Sequence, residues 1–126
     1  LAGHVVVHDW AILSGYTLVH QFCHIGQHAF TGMGTAVGKD IPAYMMVNGN
    51  PAEVHGINTE GLKRRGFTSE QIADLRKAYK VIYRQGNTVE EALTRLKSMQ
   101  QQEPASRDAL QLLVDSLQTS KRGIVR

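Results

Sequence analysis

The stretch LAGHVV-VHDWAI-LSGYTL-VHQFCH-IGQHAF-TGMGTA-VGKDIP, residues 1–42, falls into seven six-residue units. Their first positions are Leu1, Val7, Leu13, Val19, Ile25, Thr31 and Val37, all aliphatic but Thr31. Their fifth positions are compact: Val5, Ala11, Thr17, Cys23, Ala29, Thr35 and Ile41. A half-buried strand alternates with period two and an amphipathic helix repeats at about 3.6 residues, so a period of six fits neither. It fits a parallel β-helix with three flat faces. Each hexad there supplies one short strand and one corner, with the aliphatic residue pointing inward and the compact one filling the tight interior. Small residues follow the aliphatic position at Ala2, Ser14, Gly26, Gly32 and Gly38, and the corner turns, with their need for backbone freedom or close approach, are expected there. A meander of short antiparallel strands with glycine turns does not predict seven hexads in register.

After Pro42 the repeat degrades through AYMMVNGNPAEVHG, in which Asn48, Gly49, Asn50 and Pro51 are turn signals. The coil is expected to end near Val54. From Asn58 the pattern becomes helical: NTEGLKRRG reads as a short helix stopped at Gly66. Thr68 and Gln71 form a capping box for a helix with Ile72, Leu75, Tyr79 and Ile82 on one face, ending at Gly86. Thr88 and Glu91 repeat the device for a helix carrying Val89, Leu93, Leu96 and Met99 inward. Pro104 breaks it, a last helix presents Leu110, Leu113, Val114 and Leu117, and KRGIVR is a short basic tail. The expected architecture is a parallel β-helix over residues 1–54 followed by a small α-helical domain over residues 55–126.

With 126 residues, 42% of them hydrophobic, the chain has material for one ordinary core or two small linked ones. No apolar run approaches the roughly 20 residues of a membrane span, and LAGHVVVHDW lacks the regions of a signal peptide, so a cytoplasmic protein without a membrane span is expected. Cys23 is the single cysteine, so no intramolecular disulfide forms and a packed thiol is expected. Residues 1–54 hold one basic and three acidic side chains, and residues 55–126 hold thirteen and eight, which gives −2 and +5. A basic helical half suits an anionic partner: a nucleotide, an acidic carrier protein or nucleic acid. A solvated helical surface is the plainer account. Leu1 enters in full register, and seven hexads make few turns for a solenoid. The chain is therefore expected to be the C-terminal portion of a longer polypeptide.

Five of six histidines, His4, His8, His20, His24 and His28, lie in the first 28 residues. Intervals of four would align His20, His24 and His28 on a helix, but on a six-residue coil they point different ways, so a helical zinc motif is not supported. His4 and His20 are sixteen residues apart, near one coil turn of eighteen, and are expected to lie close on neighbouring turns. Imidazole there suits hydrogen bonding to a sugar or acid–base work near neutral pH. The others read as exposed corner residues. Lys63–Arg65, following Asn58 and Glu60, places a basic cluster where the helical half meets the coil. Arginine forks suit a diphosphate, and a carboxylate suits a ribose hydroxyl.

The segments LAGHV, VHQFCHIGQH and GNPA, and above all NTEGLKRRGF followed by AYKVIYR, resemble the acyl-carrier-protein:UDP-N-acetylglucosamine O-acyltransferases of lipid A biosynthesis. The resemblance covers essentially the whole chain and corresponds to that family's C-terminal half. It implies a left-handed β-helix, a homotrimer with sites between adjacent coils, and transfer of an (R)-3-hydroxyacyl group from acyl carrier protein to the glucosamine 3-hydroxyl, with no cofactor, metal or nucleic acid. By motif, the Gly3 N–H would supply the oxyanion hole, and His4 would line the substrate cleft. Gly15, His20 and Gln21 would contact the nucleotide sugar, and Asn58, Glu60, Arg64 and Arg65 would hold uridine and phosphates. Arg76 and its basic neighbours would dock the acidic carrier. Met33 stands where a glycine in some members leaves room for a long acyl chain, which implies a shorter one, 3-hydroxydecanoyl. The family's general-base histidine lies upstream of the residues matching Leu1, so little turnover is expected from residues 1–126 alone. Two other readings are a γ-carbonic-anhydrase-like zinc enzyme, whose ligand histidines are spaced five apart rather than four as here, and a non-catalytic module for trimerisation or carrier-protein binding.

Overall fold

A computed structural model describes residues 1–126. Six two-residue strands, β1 (Val6–Val7), β2 (Ile12–Leu13), β3 (Leu18–Val19), β4 (His24–Ile25), β5 (Phe30–Thr31) and β6 (Ala36–Val37), follow one another at six-residue intervals. Val6 pairs in parallel with His24, Ile12 with Phe30 and Leu18 with Ala36, each partner eighteen residues on. Three short parallel sheets therefore form the faces of a triangular coil. The coil is brief: two faces carry only two strands, so these residues do not build an extended β-helix.

The corners turn at hexad position four and not at the small residues of position two. His4, Trp10, Tyr16, Phe22, His28 and Gly34 all have φ between 58° and 72°, one in each of the first six hexads. This corrects the expected turn position. Gly26 and Gly32 keep ordinary φ and serve close approach instead, since a Cβ on Gly26 would collide with the Ala43 backbone and one on Gly32 would stand 3.0 Å from the Asn48 Cβ. Gly38 meets neither need.

β7 (Met45–Asn48) adds to the β2–β5 face, but Phe30 now pairs with Met46, sixteen residues on, so the eighteen-residue winding has already slipped. β8 (Glu53–Ile57) then runs back antiparallel to β7, crossing the expected 54/55 junction. The helices are α1 (Thr59–Arg64), α2 (Ser69–Tyr83), α3 (Val89–Gln102) and α4 (Arg107–Thr119), the last preceded by a 3-10 turn at Pro104–Ser106. Both capping boxes form reciprocally, Thr68 with Gln71 and Thr88 with Glu91. The bonds to Thr88 hold the exposed Glu91 carboxyl below its ordinary range. Ile72, Leu75, Tyr79 and Ile82 are buried as their spacing requires, as are Leu110, Leu113, Val114 and Leu117. No helix is long and apolar enough to cross a membrane.

The basic tail is the largest departure from the sequence reading. Ile124 and Val125 are each 4% exposed, and Ile124 bridges in parallel to Asp40. Val125 N–H donates to Asp40 O at 2.8 Å, Tyr83 Oη–H donates to Val125 O at 2.8 Å, and Val54 N–H donates to Arg126 O at 3.3 Å. The tail is thus an extended segment, bridged at Ile124, that laces coil, hairpin and α2 together and satisfies backbone groups that burial would otherwise leave unpaired.

Candidate functional site

The junction of coil and helices is built on Asn58. Its backbone N–H donates to Tyr44 O at 2.7 Å, its Nδ2 to His28 O at 3.2 Å, and its Oδ1 accepts from the Gly61 N–H that opens α1. The residue is buried, so these bonds fasten α1 to a coil corner. A Cβ on Gly61 would strike the Asn58 side chain, which accounts for the glycine in N-T-E-G. His28 stacks on Tyr44 at 5.6 Å, and Phe67 meets both rings edge-on at 5.2 and 5.9 Å. Burial first, and Arg65 second, hold the His28 imidazole below its ordinary 6.5, while Asp9 opposes the shift. Burial pushes the Tyr44 phenol up.

From this anchored corner the basic residues project outward. Lys63, Arg64, Arg65 and Arg76 are all exposed. The Arg65 guanidinium carbon lies 3.4 Å from the centroid of the Trp10 ring. Arg76 Nη2 reaches Thr59 Oγ1 at 3.4 Å, which places it beside α1. Glu60 does not stand alone: its carboxylate is 3.8 Å from Lys63 Nζ, an exposed pair that contributes little to stability.

The coil's candidate residues divide between two clefts. His20 lines a groove of about 670 Å³ along the β3–β6 face with Leu18, Val37, Asn50 and Pro51, and its Nδ1 lies 3.0 Å from Gln21 O. His4 lies on a different cleft of about 300 Å³ with His24, Asp40, Lys121 and Arg122. His4 stacks on Phe22 at 4.9 Å with planes 6° apart. The ring paired sixteen residues away is instead His8 with His24, at 3.4 Å between nitrogens. The physical reason is the corner between faces: His4 and Phe22 share it, His20 ends the β3–β6 face before it, and His8 and His24 both flank the β1–β4 face after it.

Gly3 is exposed, its carbonyl accepts from Phe22 N–H at 3.1 Å, and its own N–H donates to no backbone carbonyl. Gly15 is exposed and its carbonyl accepts from Gly34 N–H at 2.9 Å. Met33 is 77% exposed. Cys23 is fully buried, and burial pushes its thiol up, which keeps it protonated. Three acidic side chains come together, Glu70 and Asp74 on α2 and Glu103 just past α3, and Ser106 Oγ–H already donates to Asp74 at 2.5 Å. Sequence reasoning passed over Trp10, Tyr44 and Phe67. Reading the fourth hexad position, filled by His, Trp, Tyr, Phe and His in succession, would have found the first.

Residues 40–125 match the family model described as UDP N-acetylglucosamine O-acyltransferase, domain 2. The chain is 63% identical over all 126 residues to the acyl-[acyl-carrier-protein]–UDP-N-acetylglucosamine O-acyltransferase of Ectopseudomonas mendocina, covering 47% of that protein. Among solved structures it resembles the UDP-N-acetylglucosamine acyltransferase of Francisella novicida with a TM-score of 0.91 at 46% identity, over 98% of this chain and 44% of that one. The Bacteroides fragilis enzyme gives 0.92 at 36% identity, over 100% and 48%. The chain spans about half the length of the curated relatives it matches.

Proposed function

The chain belongs to the UDP-N-acetylglucosamine O-acyltransferase family, and from that premise we propose that it forms the C-terminal part of an enzyme acylating UDP-N-acetylglucosamine from acyl carrier protein. The observation that carries the reading is 63% identity over all 126 residues, a span that includes coil, junction and helices. Residues 1–54 act as the last turns of a left-handed β-helix and residues 55–126 as its helical domain. Three copies assemble so that clefts of adjacent coils face each other in a cytoplasmic homotrimer. In the reaction the glucosamine 3-hydroxyl attacks the thioester carbonyl, its proton passes to a base, and the carrier's thiol leaves. The Gly3 N–H donates to no backbone carbonyl, which supports its role as an oxyanion donor. His4 lines the acyl-transfer cleft, Gly15, His20 and Gln21 contact the nucleotide sugar, and Glu60, Arg64 and Arg65 hold the ribose and phosphates. Asn58 contributes by fixing α1 as well as by any contact with uridine. Arg76 and the cations around it meet the acidic carrier.

The base is assigned to no residue of 1–126, so purified chain is expected to show little or no turnover. Thermal shift with UDP-N-acetylglucosamine, UDP and a zinc chelator tests the binding half of the reading. Both nucleotides should raise Tm, as ligands of the native state do, and the chelator should leave it unchanged. A chelator-induced drop with no nucleotide shift would favour a metal enzyme instead. Met33 is the proposed limit on acyl length, with 3-hydroxydecanoyl preferred. Where the base is present, Met33→Gly should extend the chain accepted, and unchanged length selectivity would discard that role.

A further inference from the structure

Left-handed backbone strains any bulky L residue, yet five successive corners of the coil carry rings in that conformation. Three of these rings have aromatic neighbours that offset the strain: His4 and Phe22 pack on each other, and His28 packs on Tyr44. Trp10, with φ of 63° and 54% exposure, has no aromatic neighbour. Its face is covered by Arg65, a residue 55 positions further along, delivered by the end of α1. At 3.4 Å from the ring centroid the guanidinium lies flat, because an edge-on approach would drive its N–H groups into the ring. A flat guanidinium keeps its in-plane N–H fork free for a phosphate. No carboxylate claims Arg65, since the one ion pair in the chain is Lys63 with Glu60. The neighbouring His28 imidazole, kept neutral by burial, adds no competing charge.

On the reading that Arg64 and Arg65 hold the diphosphate of a nucleotide, we propose that Trp10 is a positioning residue that seats the Arg65 guanidinium against the coil and thereby sets affinity for a nucleoside diphosphate. The seat links the two halves of the molecule: the coil supplies the ring, the helical half supplies the cation, and the Asn58 anchor holds their separation.

Trp10 is the only tryptophan, so its emission reports on the seat directly. UDP titrated into the full chain should change that emission, and inorganic pyrophosphate should do so more weakly. By calorimetry Trp10→Ala should weaken UDP about fivefold at unchanged Tm, in line with a partly exposed cation–π contact, while Trp10→Phe stays within about twofold. Arg65→Ala should abolish the emission response. If UDP binds the parent and Trp10→Ala equally well, the seat is overturned while the phosphate role of the arginines stands. If neither UDP nor pyrophosphate binds the parent, both are overturned. Should Trp10→Ala not fold, Arg65→Lys decides: an ammonium keeps the charge but not the planar face, so altered emission and about threefold weaker UDP support the seat, and no change in either removes it.

Discussion

The first turn of the coil and the turn that follows it obey one sequence rule and end in different surroundings. Val7 and Ile25 occupy the same hexad position and pair with each other, yet Val7 is 40% exposed and Ile25 is 0% exposed. Leu1 is 72% exposed, whereas Val19, one turn on, is 4%. Within residues 1–126 the second turn is covered by β7, the helices and the C-terminal segment, while the first meets the second turn alone. A hexad therefore specifies which way a side chain points, and burial depends on whether another layer lies beyond it. Helices differ in kind: α2 carries its own apolar stripe and buries Leu75 completely against its partners.

The comparison breaks first if truncations cost the same at both ends. Leu75→Ala should lose about 3 kcal/mol, the usual cost of emptying a sealed core site, while Val7→Ala should lose less than about 1 kcal/mol because water already reaches it. Urea unfolding of the two variants measures the gap. Gly26→Ala forces a Cβ onto the Ala43 backbone in the covered turn and should cost about 2 kcal/mol by overpacking. Gly38→Ala, which meets open space, should fall within about 0.5 kcal/mol of the parent. Equal effects would mean that close approach does not govern the covered turn.

The smallest effect separates the histidines. His28 is buried with its pKa held below 6.5, so the unfolded chain takes up that proton more readily. The stability its neutral ring contributes is intact above about pH 6.5 and is lost as pH falls through the lower folded value. Melting curves from pH 7.5 to 5 should show a decline that His28→Gln reduces and that substitution of exposed His8 leaves in place. A decline independent of His28 would assign it elsewhere.

Much of this was legible beforehand where the cause is local. The six-residue strand spacing, the capping boxes at Thr68 and Thr88, and the stripes on α2 and α4 depend on dihedrals and side-chain directions within a few residues. The corner position was misplaced because glycine at position two is a familiar turn signal, while rings in left-handed backbone at position four are not. KRGIVR looked like a tail because its partners, Asp40, Val54 and Tyr83, are more than forty residues away. His4 and His20 were expected together on a spacing of sixteen, but a coil corner stands between them and sends them to different clefts, while His8 and His24 at the same spacing flank one face and meet.

The sequence by itself determined a coil of hexads, a helical half with two capped helices, the split of charge between them and the N-T-E-G-L-K-R-R-G-F motif that marks the family. Only the tertiary structure decided which turn is sealed, where the tail goes, and that Arg65 rests on Trp10. The first set follows from periodicity, which each short segment carries in its own residues. The second depends on contacts between distant segments, whose geometry exists only once the helices have docked on the coil.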